Sequence, residues 1–168
     1  MTAVESLQRE HEWIGWMAEI LAALVATARS EGRLPGEAVE LLALYETFAD
    51  GRHQEKEESA LFPALLEAAD HRAGRAHMES MRALVIGAVR GDGGSAAAFA
   101  REAEGYLELH RAHMQREEEV LLPMAATLLT PEADARVLRR FRAIEGGPGD
   151  PHGLREQIRG LRKRVGLE

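Results

Sequence analysis

Two stretches of this 168-residue chain repeat one pattern at an offset of 60 residues. The first is His53-Gln-Glu-Lys56-Glu57-Glu58-Ser-Ala-Leu61-Phe62-Pro63, and the second is His113-Met-Gln-Arg116-Glu117-Glu118-Glu-Val-Leu121-Leu122-Pro123. In each copy histidine and the first glutamate are four residues apart. On a helix that is about one turn, so one imidazole and one carboxylate project from the same face. A lone pair at this spacing arises often among surface charges. Two copies, each followed by the same leucine and proline, are harder to explain without a shared site. Two such helices face to face offer two histidines and two carboxylates that can bridge two metals. The proline closing each copy removes a backbone hydrogen bond, so both helices are expected to bend just past the site.

Turn signals divide the rest of the chain. They fall at Ser30–Gly36, Asp70–Gly74, Gly91–Ser95, Thr130-Pro131 and Gly146–Pro151. The segments between them carry helical periodicity, and none alternates with a period of two. The predicted helices run from about Val4 to Arg29, Gly36 to Ala69, Ala73 to Arg90 and Ser95 to Leu129. Their inward stripes are Leu7, His11, Ile14, Ala18, Leu21, Val25; Leu42, Tyr45, Ala49, His53, Glu57, Ala60; His77, Met81, Leu84, Ala88; and Phe99, Ala103, Tyr106, His110, His113, Glu117, Leu121, Met124, Leu128. Four such helices with short connections predict an all-α, up-down-up-down four-helix bundle. Pro131–Ile144 and a segment from Pro151, with Asp150 as its cap, add short C-terminal helices. The expected division is a bundle domain over 1–147 and a linker with a basic amphipathic helix over 148–168. The stripe Leu154, Ile158, Leu161, Val165 is expected to dock on the bundle, on a second copy in a homodimer, or on a protein partner.

His11, His53, Glu57, His77, His113 and Glu117 thus lie on stripes that face the core. Burying an ionised carboxylate is costly unless it is paired or binds metal. With no cysteine in the chain, thiolate chemistry, disulfides and iron–sulfur ligation are excluded, and any metal must be held by histidine and carboxylate. The net charge of −7 argues against a nucleic-acid surface, which needs clustered cations. No signal-peptide pattern opens the chain, and the longest apolar run, Ile20–Ala26, is too short for a membrane span. A cytoplasmic protein is expected. The near-exclusive use of arginine over lysine, with only Lys56 and Lys163, hints at a bacterial source.

Over residues 5 to 145 the chain resembles the hemerythrin-like, or HHE cation-binding, family. The likeness rests on Glu10-His11, on His53-x-x-Lys56-Glu57-Glu58-x-x-Leu61-Phe62-Pro63, on His77, and on His113-x-x-Arg116-Glu117-Glu118-x-x-Leu121-Leu122-Pro123. It implies a four-helix bundle with a centre of two non-haem iron ions. By this resemblance His11, His53, His77 and His113 are terminal ligands and Glu57 and Glu117 are bridges. It also implies work on dioxygen, peroxide or nitric oxide, as a sensor or a reactive centre. The alternatives are a non-catalytic iron-binding or storage protein and a reversible oxygen carrier. A ferritin-like oxidase fits poorly, because its Glu-x-x-His pairs are absent here. A zinc hydrolase fits less well than a redox pair.

The chain departs from oxygen-carrying relatives at two places. They have a further histidine one turn before the third-helix ligand, where this chain has Ala73. They also place an aspartate five residues after the last histidine, where this chain has Glu118, with Glu117 at four. Suppose His11 and His53 bind one iron, and His77 and His113 the other. Two carboxylate bridges and a bridging oxide or hydroxide then give each iron five donors and one open position, which favours redox turnover over reversible carriage. His110 is either a further ligand or a core residue. Glu58 and Glu118 are either ligands or a solvated pair. His71 and His152 are expected to face solvent. Tyr45, Tyr106, Trp13 and Trp16 are expected to serve packing.

Overall fold

A computed structural model describes residues 1–61, 68–146 and 151–167. Among these residues the chain forms six helices and no strand, which is the expected bundle with added C-terminal helices. Helix α1 spans Ala3–Glu31. It opens on a reciprocal cap: the Thr2 hydroxyl accepts from the Glu5 amide, and the Glu5 carboxylate accepts from the Thr2 amide. It ends at Gly32, whose φ of 66° suits a residue without a Cβ.

Helix α2 (residues 37–61) is irregular. It is α-helical over Glu37–Leu44, π-helical over Tyr45–His53, α-helical over Gln54–Lys56 and π-helical again over Glu57–Leu61. The inward stripe explains why. Tyr45, Ala49, His53 and Glu57 are all buried at successive steps of four, and in an α-helix each such step overshoots a turn by about 40°. Wider π turns absorb the overshoot. Gly51 permits the first of them, since a Cβ there would lie 2.9 Å from the Glu46 carbonyl oxygen.

Helix α3 spans Ala68–Val89. Helix α4 (residues 93–128) starts on Asp92, which accepts from the amides of Gly94 and Ser95. It is α-helical over Gly93–Arg116, π-helical over Glu117–Leu121 and α-helical over Leu122–Leu128. Helix α5, Pro131–Ile144, has the predicted threonine cap and first-turn proline. Helix α6 spans Pro151–Arg164.

The first four helices form a closed ring in which α1 meets α2 and α4, and α3 meets α2 and α4. Their interior holds two separate apolar clusters. The larger runs from Trp13, Ile14 and Met17 to Tyr45, Met78, Phe99 and Tyr106. The smaller gathers Val4, Leu7, Leu122, Ala125 and Phe141. His11 falls between Leu7 and Ile14, and a polar layer occupies that level of the bundle. Helix α5 closes the smaller cluster with Phe141, a burial worth about 1.5–3 kcal/mol. Helix α6 buries Ile158 and Leu161 in the larger cluster against α1 and α2. Its arginines pair outward, Arg162 with Glu19 and Arg164 with Glu37 and Glu40. No helix among the described residues is long and apolar enough to cross a membrane.

Two expectations about register need correction. The stretch Asp70–Gly74, predicted as a turn, lies inside α3, which begins at Ala68 and not near Ala73. The inward stripe at the end of α4 is also shifted. Met124 and Leu128 are exposed, while Leu122 and Ala125 are buried. The π turn at Glu117–Leu121 adds a residue to the turn and carries the apolar face forward by one. This π turn ends two residues before Pro123, near which a bend was expected. Phe62, Pro63, the Asp150 cap and the side chain of His152 lie outside the described residues.

Candidate metal centre

Each ring helix brings one histidine to the polar layer. His11 comes from α1, His53 from α2, His71 from α3 and His113 from α4, and all four are buried. Glu57 and Glu117, one turn beyond the α2 and α4 histidines, have no exposed surface. The histidine of α3 is therefore His71 and not the expected His77. His77 is 32% exposed, and its Nδ1 lies 2.9 Å from Glu102 on α4. The early start of α3 causes the exchange. Six residues on an α-helix amount to a rotation of about 240°, so both histidines cannot face inward. The buried stripe of α3 runs His71, Met78, Met81, Val85, Ala88.

The imidazole Nε2 atoms converge on the two carboxylates in a paired arrangement. Glu57 Oε1 is 2.9 Å from His53 Nε2 and 3.4 Å from His11 Nε2, while its Oε2 is 3.5 Å from His71 Nε2. Glu117 Oε2 is 3.3 Å from His11 Nε2, while its Oε1 is 3.1 Å from His113 Nε2. Each carboxylate thus turns one oxygen to the His11/His53 side and the other to the His71/His113 side. Two groups of mutually close donors result: His11, His53, Glu57, Glu117, and His71, His113, Glu57, Glu117, each with its atoms within 4.8 Å of one another. Among the described residues, His53 Nε2, Glu57 Oε2 and both Glu117 oxygens are buried without a hydrogen bond. Buried polar atoms normally have partners. Cations held in these two groups would satisfy such atoms, so the donor set fits them.

The opposite edge of each ring faces an outer carboxylate. His11 Nδ1 lies 2.6 Å from Glu118, His53 Nδ1 2.9 Å from Glu10, and His71 Nδ1 2.7 Å from Glu58. His113 Nδ1 is 3.8 Å from Asp70. An acceptor at Nδ1 fixes the tautomer and aims the Nε2 lone pair inward. This gives Glu58 and Glu118 a role in the repeat: the first glutamate of each Glu-Glu pair points inward, and the second reaches the histidine of a neighbouring helix. Glu10 and Asp70 were not singled out for this task from the sequence, because nothing in local spacing connects them to His53 and His113.

The electrostatics follow from this packing. Burial opposes a charge on His53, but the facing carboxylates of Glu57 and Glu10 outweigh it and push its pKa up to about 10. Burial would likewise raise Glu57, yet the imidazoles of His53 and His11 hold it well below the usual carboxylate range. His110 behaves oppositely. Burial, reinforced by the charges of His113, His53 and His11, pushes it down to about 3, so it stays neutral. Its ring stacks on Tyr106 at 5.7 Å, and Tyr106 meets Tyr45 edge-on. Burial raises both tyrosines, which remain protonated. A cavity of about 20 Å³, enough for one water-sized guest, lies between Gln54, His71, Gly74, Tyr106, His110 and His113.

No significant match is found among curated proteins or among solved structures. A family model, the hemerythrin HHE cation binding domain, matches residues 2–125, which contain α1, α2, α3, α4 up to Ala125 and every residue of the paired cluster. The chain belongs to the hemerythrin HHE cation-binding family.

Proposed function

We propose that this chain is a non-haem di-iron protein whose centre senses or reacts with dioxygen, peroxide or nitric oxide. The observation that carries the reading is the split of each carboxylate, Glu57 and Glu117, between two histidine pairs. A single-ion site has no use for two such bridges. His11 and His53 would hold one ion, and His71 and His113 the other, with His71 taking the role first assigned to His77. Iron bound here supplies redox chemistry toward small oxygen- and nitrogen-containing ligands. The protein's part is to aim the ligands, exclude bulk water by burial, and leave a small cavity beside His71 and His113. Four imidazoles and two carboxylates suit iron among the divalent metals.

Each ion would receive two imidazoles and one oxygen from each bridge, and neither group holds a further donor among the described residues. That arrangement favours turnover or sensing over reversible carriage. The test is anaerobic loading with ferrous iron, followed by optical spectra on adding dioxygen, peroxide or nitric oxide. A reaction that consumes dioxygen or peroxide, or a stable nitric oxide spectrum, is expected. Iron that binds but responds to none of these would leave a storage role as the better account.

A further inference from the structure

Lys56 is 1% exposed, and the metal cluster does not use it. Its ammonium contacts Glu10 Oε1 and lies 2.6 Å from Glu145 Oε1. It also sits 5.3 Å from the centroid of the Phe141 ring. The other oxygen of Glu10 accepts from His53 Nδ1 at 2.9 Å. A chain of contacts therefore runs from Glu145 through Lys56 and Glu10 to His53. A buried ammonium is costly unless paired, and here one of its two carboxylates comes from the segment just after α5.

The repeat supplies an internal comparison. Arg116, the counterpart of Lys56, contacts Asp70, which faces His113 Nδ1. In both copies the cation three residues after the histidine serves the carboxylate behind that same histidine. The environments differ. Arg116 is 54% exposed and Asp70 29% exposed, whereas Lys56 and Glu10 are both buried and Phe141 and Glu145 cover the Lys56 ammonium. Residues 131–145 lie beyond the matched family domain.

We propose that Lys56 and Glu145 are positioning residues acting through Glu10 on His53, so that helix α5 governs one of the two metal positions and not the other. Docking of α5 holds Lys56 on Glu10 and keeps that carboxylate on the His53 ring. Displacing α5 releases the ammonium, loosens Glu10 and weakens the His11/His53 position, while His71 and His113 keep their own outer carboxylates. The bundle would thus carry one tuned position and one independent of the C-terminal segment. This inference rests on the two-metal reading above.

The experiment is anaerobic titration of the full chain with ferrous iron against a competing chelator. Glu145→Gln is the first variant, since Glu145 is partly exposed and its loss spares the core. Lys56→Met is the second, Lys56→Arg tests rescue, and Arg116→Met is the mirror control. Outer partners of metal-bound histidines typically contribute 10–100-fold in affinity. Glu145→Gln and Lys56→Met are expected to weaken one iron by at least about tenfold and leave the other within about threefold. Lys56→Arg should recover part of the loss, and Arg116→Met should affect neither iron by more than about threefold. At one iron per chain, crystals of Glu145→Gln should show the ion at His71/His113. Equal weakening of both positions, or a lower melting temperature with both affinities intact, overturns the proposal and leaves the two-metal reading standing. If the unmodified chain takes up no iron, both fall. Should Lys56→Met fail to fold, Glu145→Gln decides the matter.

Discussion

Replacing His71 by alanine, and separately His77, distinguishes the two candidate histidines of α3. His71 is 2% exposed, with Nε2 3.2 Å from His113 Nε2 and 3.5 Å from Glu57. Its removal deletes one of the donors of one position and leaves Glu58 without the ring it faces. Losing an outer partner alone costs about 10–100-fold in metal affinity. Losing the donor itself should exceed that, so His71→Ala is expected to drop one iron by more than about a hundredfold. His77 pairs with Glu102 at the surface, the kind of pair worth about 0–1 kcal/mol. For a chain of this length that is a melting-temperature change of at most about 2–4 °C. His77→Ala should keep both irons. The assay is iron per chain after anaerobic loading and desalting, with thermal melts of both variants alongside. Full loading of His71→Ala, or loss of one iron in His77→Ala, would refute the assignment of the inward face of α3.

Further outcomes follow from the same geometry. Iron-loaded protein should melt about 5–10 °C above chelated protein when iron is at about a hundred times its dissociation constant, as differential scanning calorimetry will read. In the metal-free fold His53 holds a proton up to about pH 10, so metal must displace it; iron affinity should fall by about tenfold for each unit of pH lost below neutrality, measured by chelator competition. The same raised pKa stabilises the metal-free fold fully below the unfolded value of about 6.5, and that contribution should disappear as pH rises through about 10, visible in chelated melts. Gly74→Leu should fill the cavity beside His71 and His113. Its Cβ would meet Tyr106 at 3.5 Å and Leu109 at 3.9 Å, which are ordinary contacts, so iron should be retained while reaction with nitric oxide slows in stopped flow.

The bundle was legible because its signals are local and periodic. The His-x-x-x-Glu pairs place both groups on one face whatever else the chain does, and the ring of helices follows from four amphipathic segments with short turns. His71 was misplaced because Asp70 and Gly74 carry turn propensity that tertiary packing overrides. Gly74 lies inside α3 beside the cavity and marks no break in the helix. The exposed end of α4 was misread because a π turn shifts the face by one residue, and no single residue announces it. The outer carboxylates illustrate a different limit. Glu10 is 43 residues from His53 in the chain, and only the fold brings their atoms within 2.9 Å. Lys56 matched Arg116 in the repeat, but its burial depends on Phe141 and Glu145, which lie outside either copy.

The position of bound metal is the most direct test of the paired cluster. Crystals of the iron-loaded chain, measured at the iron absorption edge, give that answer through anomalous scattering. Two peaks are expected, one against Nε2 of His11 and His53 and the other against Nε2 of His71 and His113, both in contact with Glu57 and Glu117. A single peak in the cluster, or a peak at His77 and Glu102 with the cluster empty, would contradict it.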